Sequence, residues 1–284
     1  MRILGALIVA ATFVSRAAAL EPADFLAQLR CGDGSLPLVT HCRDAAPQKA
    51  NDPMFWRRHD WPAPDGYHIE DAIARPDGTF ETTWSYPPFG PFVAANGDGG
   101  EVYRIDRGVV TIAATQDGGK PGIQYFTGAR CGGTGWVAFT AAAPTGAWAE
   151  TVARLAIATN PRDCNAHSRA LTRWRLEQVA IPFILFGAAA SVTVPAVISE
   201  HYSSATLERS RAMERTFFGR GWGRLIWEAW QKSAGAANLA ARCPGTPFSV
   251  PPAPGWRLTD CRYATNIVKA DGRLSAARYG WPPD

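Results

Sequence analysis

Apolar and polar side chains alternate with a period of two along much of this chain, and glycine or proline interrupts the alternation at short intervals. Residues 171–186 set Thr172, Trp174 and Leu176 against Arg173, Arg175 and Glu177, the alternation of a strand with two different faces. Residues 192–202 predict a second strand, ending in Glu200-His201-Tyr202. Phe217 and Phe218 close one apolar run, Leu225 opens another, and Gly219, Gly221 and Gly223 lie between them. That order predicts a β-hairpin, because a tight connection needs positive φ and glycine adopts it without a Cβ clash. In its second arm Leu225, Trp227 and Ala229 point one way, and Arg224, Ile226, Glu228 and Trp230 the other.

The first half carries the same signal in shorter pieces. A hairpin is expected from arms 71–75 and 79–86 around Pro76-Asp77-Gly78. Further strands are expected at 101–105, 109–114, 123–127 and 135–140, and late ones at 257–263 and 265–269. Two helices are expected. Residues 20–29 carry Pro22 in a first turn and Phe25 and Leu29 on one face. Residues 147–158 place Trp148, Val152 and Leu155 on one face. Residues 203–213 are polar, with helical character.

Strands recurring every 8–14 residues with turn residues between them predict a mainly β fold, an antiparallel β-sandwich or jelly-roll-like unit with a few short helices. Composition agrees: 27 Gly and 22 Pro supply many turns, and 11 Trp with only 19% charged residues suit sheets better than long helices. Residues 20–284 are read as one domain, with a sub-boundary near 160–168 as the alternative division.

Residues 1–19 are read separately. Arg2 precedes an apolar run over 3–14, and Ala17-Ala18-Ala19 fits a small-x-small cleavage site, so a secretory signal peptide cut after Ala19 is expected. The mature chain is then secreted or periplasmic. No transmembrane segment is expected in it, since the nearest approach, 179–197, is broken by Pro182 and Pro195. Losing Arg2 and Arg16 lowers the formal charge from +4 to +2, with no basic block, which argues against nucleic acid as a partner. Six cysteines, Cys31, Cys42, Cys131, Cys164, Cys243 and Cys261, predict a disulfide-stapled exported chain. Nearest-neighbour pairing is the simplest of the connectivities: Cys31–Cys42, Cys131–Cys164 and Cys243–Cys261.

The candidate catalytic set is Glu200, His201, Tyr202, Glu214 and Glu228. Enzymes that cleave glycosidic bonds use two carboxyl groups, one protonated and one charged, about 5–10 Å apart. Adjacent strands stand ~5 Å apart, which would bring Glu214 and Glu228 into that range across the hairpin. Tyr202 and His201 would alternatively serve as acid and base in a lyase. The plainer reading makes Glu214, Arg215, Arg224 and Glu228 cross-strand ion pairs on a solvated face.

The candidate ligand-binding set is Trp56, Arg57, His59, Asp60 and Trp61, with Trp227 from the hairpin. Flat aromatic rings stack on the apolar faces of sugars while Arg, His and Asp reach their hydroxyls. No cofactor and no metal is implied. The chain has no C-x-x-C, no H-E-x-x-H, no G-x-S-x-G and no dinucleotide fingerprint. Asp98-Gly99-Gly100-Glu101 and Asp117-Gly118-Gly119 read as turns ahead of calcium loops.

Three functions therefore compete. The first is a non-catalytic, lectin-like glycan-binding module of the cell envelope, with an envelope polysaccharide as partner. The second is a structural envelope protein, and the third a polysaccharide hydrolase or lyase using a carboxylate pair. Whether the protein is an enzyme, and its oligomeric state, are not written in the sequence.

Overall fold

The alternation over 171–186 belongs to a strand nineteen residues long, His167–Leu185, which forms a hairpin with an almost equally long neighbour, Ala188–Tyr202. A computed structural model of the chain describes residues 20–26, 29–31, 43–44, 46–47, 54–58, 66–74, 79–85, 99–116, 124–127, 134–158, 164, 167–185, 188–232 and 250–266.

In chain order the elements are α1 (Ala23–Leu26), β1 (Leu29–Arg30), β2 (Ala46–Pro47), β3 (Met54–Arg58), β4 (Gly66–Ala74), β5 (Thr79–Ser85), β6 (Gly99–Asp106) and β7 (Val109–Gln116). They continue as β8 (Gln124–Thr127), β9 (Trp136–Thr140), β10 (Ala149–Ala158), β11 (His167–Leu185), β12 (Ala188–Tyr202), β13 (Ala212–Gly219), β14 (Gly223–Lys232) and β15 (Trp256–Asn266). The mainly β, antiparallel fold class is thus the observed one.

β1 and β2 form a small ladder of their own, and the other thirteen strands form one sheet. Two meanders build it, β3 to β7 and β10 to β15, each strand antiparallel to the next in sequence apart from the short β8–β9 region. β15 joins β3, β8 joins β7 to β10, and β6 pairs with β7, so the hydrogen bonding closes on itself. This neighbour-to-neighbour order replaces the Greek-key crossings that a jelly roll would have. Closure leaves few unpaired strand edges.

The 71–75 and 79–86 hairpin is present as β4 and β5, paired from Ile69↔Ser85 to Ala74↔Phe80. The expected helix over 147–158 is instead β10, paired with β11 from Ala149↔Trp174 to Ala156↔His167 and with β8 at its far end. Its 3.6-residue pattern was as good as its two-residue pattern, and two neighbouring strands decided between them. The helix over 20–29 is reduced to Ala23–Leu26, and Leu29–Arg30 is already strand. Residues 203–211 are turns and bends, without a helix.

The glycine-rich turn is where the sequence places it, but its glycines do different work. Gly221 and Gly223 have φ of 78° and 71°, the left-handed conformation. Gly219 is needed for space: a Cβ there would lie 2.2 Å from Leu225 Cδ1. α1 covers this turn, with Gly221 N–H donating to Asp24 O at 2.6 Å and Arg220 paired to Asp24 at 3.2 Å.

Among the described residues the largest apolar cluster includes Phe25, Tyr103, Val110, Ile112, Val137, Phe139, Trp174, Val197 and Phe218. A second joins Leu171, Tyr202, Met213, Trp230, Trp256 and Leu258. They lie on opposite faces of β12, so the strand is buried on both sides from Ala196 to Tyr202. Among the described residues no helix is long and apolar enough to cross a membrane. Cys31 and Cys164 are each disulfide-bonded, and no described cysteine is free.

Candidate functional site

Strand register builds the site. Arg173 pairs with Glu200, Glu200 with Arg215, and Arg215 with Glu228, on β11, β12, β13 and β14 in turn. Four side chains of alternating charge therefore form one row across four strands, all on the face that carries the second apolar cluster. Glu200 and Glu228 are completely buried, and Arg215 is 5% exposed.

Every charge in the row has partners. Arg215 Nε donates to Glu200 Oε1 at 2.8 Å, and Nη2 lies 2.6 Å from the same oxygen. Arg215 Nη1 donates to Glu228 Oε2 at 3.0 Å and to the Val250 carbonyl at 2.9 Å. Glu200 Oε2 accepts from Arg173 Nε and from the Tyr202 hydroxyl, the latter at 2.5 Å. Trp230 Nε1 donates to Glu228 Oε2 at 2.9 Å, and its ring lies under the Arg215 guanidinium. Burial pushes the Glu200 carboxyl up, but Arg215, Arg173 and the Tyr202 hydroxyl outweigh it and hold it below the ordinary value. Burial and the neighbouring Glu200 carboxylate drive the Tyr202 phenol well above its ordinary value. Burial would lower Arg215, but Glu200 and Glu228 raise it.

Beside this row a pocket of about 250 Å³ opens, lined by Trp148, Arg173, Arg175, Glu177, Glu200 and Arg215 with Ile198, Phe217 and residues 250–252. Trp148 arrives from outside the strands. Residues 144–146 lie along β11, with Leu176 N–H donating to Pro144 O at 2.8 Å and Gly146 N–H to Leu176 O at 3.3 Å. That contact sets the indole against Arg173 and Arg175, whose guanidinium carbons stand 4.4 and 4.3 Å from its ring centre. Arg175 Nε is 2.9 Å from Glu177 Oε1.

The expected catalytic residues separate. Glu200, Tyr202 and Glu228 belong to the buried row. His201 points to the opposite face, because successive strand residues do. There it is buried against Trp136, its Nε2 3.2 Å from Ser199 Oγ. Ser199 already donates its proton to Ala138 O at 2.6 Å, so the imidazole is the donor to it. Burial lowers the His201 pKa to about 4, with a Val137 backbone hydrogen bond and Glu200 opposing.

Glu214 pairs in register with Ala229, one position out of step with Arg215↔Glu228. Glu214 and Glu228 therefore emerge on opposite faces and make no carboxylate pair, which corrects the expectation that the hairpin would juxtapose them. Glu214 is exposed, with Trp227 Nε1 3.5 Å from its Oε2. The charged residues of the hairpin do not share one solvated face either. Arg215 and Glu228 are buried in the row. The bulge at Phe217/Phe218 sets Arg224 opposite Phe218 on the other face, not beside Glu228 as the alternation predicts. There it is buried too and reaches Glu101 on β6 at 3.0 Å.

Of the expected ligand-binding residues, Trp56 and Arg57 lie on β3, in register with Ala264 and Tyr263 of β15. His59, Asp60 and Trp61 lie outside the described residues. Trp227 faces away from the pocket, beside Glu214. Sequence reasoning did not single out Trp148, Arg173, Arg175, Glu177 and Arg215 as ligand-binding. The signal for three of them was present, since Arg173, Arg175 and Glu177 recur at every second residue of one strand. Among the described residues no group of three or more His, Cys, Asp or Glu is placed to hold a metal ion.

Comparison with known proteins returns no relationship: no family model, no curated protein and no solved structure matches the chain.

Proposed function

We propose that the protein is an exported, non-catalytic glycan-binding module, and that its ligand site is the pocket beside the charge row. The observation that carries this reading is the lining of that pocket. Trp148, Pro251 and Pro252 offer apolar surface, while the partly exposed Arg173, Arg175 and Glu177 offer donors and acceptors beside them. A sugar presents the same two chemistries, C–H faces and hydroxyls. The state of Glu200 supports a non-catalytic role. Glycosidic cleavage needs one carboxyl group that stays protonated. Glu200 is held charged by two arginines, and Tyr202 commits its proton to it.

On the same reading residues 1–19 are a cleaved signal peptide, and the mature chain is secreted or periplasmic and binds an envelope polysaccharide. The bonded state of Cys31 and Cys164 supports a disulfide-stapled chain, and the reading pairs the six cysteines between neighbours in sequence. The two apolar clusters on opposite faces of β12 support a layered, sandwich-like packing of the closed sheet. A glycan array probed with the mature chain tests the function. Binding to an envelope polysaccharide that weakens about tenfold or more in Trp148→Ala, roughly 1.4 kcal/mol or more, is the expected result. No binding to any envelope or extracellular polysaccharide would rule the reading out.

A structural envelope role is the second reading, favoured by the saturation of the charge row. It predicts that Trp148→Ala and Arg175→Ala alter no binding at all. Peptide mapping of the oxidised mature chain checks the disulfide pairing, and N-terminal sequencing checks the cut after Ala19.

A further inference from the structure

The two arginines at the mouth of the pocket are held in place and only half used. Arg173 gives its Nε to Glu200, and Arg175 sets its Nε against Glu177. Among the described residues neither guanidinium has a partner for its two terminal Nη groups. Both stand over the Trp148 ring, two residues apart on one strand face, and so project to the same side. Cation–π contact of this kind fixes a guanidinium without occupying its N–H donors. Their side chains are 15% and 28% exposed, enough to meet a ligand and little enough to be partly desolvated.

Three arginines line the pocket, but Arg215 is held between Glu200 and Glu228, so the positive groups left to face a ligand are Arg173 and Arg175. Glu200 is already surrounded by donors from Arg173, Arg215 and Tyr202, so its charge is largely spent inside the protein. The partly exposed Arg175–Glu177 pair is of the kind that contributes little to stability, so the fork can be shared with an incoming acid at low cost.

We propose that this pocket recognises the oxyanion of an acidic sugar, a carboxylate or sulfate ester received by the terminal Nη groups of Arg173 and Arg175. Forked guanidinium donors match the two oxygens of such a group. The sugar ring then lies against Pro251 and Pro252. This rests on the pocket being the glycan site, and it narrows that site to acidic glycans.

Calorimetric titration of the whole mature protein tests it. The probes are a uronic-acid oligosaccharide, the same oligosaccharide with its carboxyls reduced to alcohols, a sulfated oligosaccharide, and acetate and inorganic phosphate alone. Binding of an acidic oligosaccharide at least about tenfold tighter than the reduced one is expected, with the preference lost in Arg175→Gln and weakened in Arg175→Lys. The tighter of the uronate and sulfate ligands identifies the oxyanion. Equal affinity for acidic and reduced forms would overturn the inference and leave the glycan reading standing. Binding of acetate or phosphate as tight as that of the acidic sugar would overturn it as well, making the pocket a bare anion site. Failure of every sugar to bind would remove both readings together. Unchanged thermal melting of Arg175→Gln separates lost recognition from lost folding.

Discussion

Two rows of residues cross the same four strands one position apart, and they live in different chemical worlds. The row Arg173–Glu200–Arg215–Glu228 is buried, and every charge in it is kept by an opposite one. The adjacent row, Thr172–His201–Glu214–Ala229, holds a buried imidazole that burial deprives of its charge and a carboxylate left in solvent. Glu200 and Glu214 are the same residue type on adjacent strands, yet one is buried and the other exposed. What differs is the side of the pleat. A buried charge persists in the row whose counter-charges are buried with it. His201 has Glu214 as its ladder neighbour, but that carboxylate stands in solvent, and burial keeps the imidazole neutral.

The most severe way to break the first row is to remove its shared cation. Arg215→Met leaves Glu200 and Glu228 buried without their common partner, and is expected to cost about 3–5 kcal/mol of stability in urea unfolding. Adding Glu200→Gln in the same chain should recover part of the loss. A cost below about 1 kcal/mol would mean that water screens the row like a surface pair.

A pH titration sharpens the contrast. His201 has its pKa lowered from 6.5 to about 4, so between those values the unfolded chain binds a proton that the folded chain does not. Stability should therefore fall as pH falls through this window, by up to roughly 1.4 kcal/mol per pH unit. Above pH 6.5 the residue contributes no slope. Glu200 acts lower. Its carboxyl is held below the ordinary 4.5, so its contribution is complete above that value and is lost as pH falls through the folded value. His201→Gln should flatten the upper window and leave the lower one, read as urea midpoints at successive pH values. A wild-type midpoint constant across the upper window would refute the assignment.

The smallest effect is expected from the exposed member of the second row. Glu214→Gln should change stability by no more than about 0.5 kcal/mol. A loss comparable to that of Arg215→Met would erase the distinction between the rows.

Much of the fold was legible in advance, because period-two alternation and glycine turns are local signals. β5, β7, β11, β12 and the β13–β14 hairpin stand close to where the pattern puts them. The pattern over β10 is ambiguous because Trp148, Val152 and Leu155 satisfy a helical period while Thr151, Ala153, Leu155 and Ile157 satisfy a strand's, and only pairing with β8 and β11 separates the two. The site was half legible. Glu200, Tyr202 and Glu228 were singled out for their chemistry, and they do meet. Their pairing with Arg173 and Arg215 depends on register, which turn geometry and the bulge at Phe217/Phe218 set. The burial of both faces of β12 is equally hidden, since alternation shows that two faces differ and not which of them meets water.

By itself, then, the sequence determined a mainly β chain of antiparallel strands, the place of its glycine turn and the side-chain chemistry available to it. The tertiary structure alone decided that the meanders close on each other, that Arg215 and Glu228 of the hairpin are buried while Glu214 is not, and that Trp148 is laid over Arg173 and Arg175. The reason is physical. Alternation and turn preference are set by neighbours along the chain, whereas burial and charge pairing are set by strands that meet only when the sheet has closed.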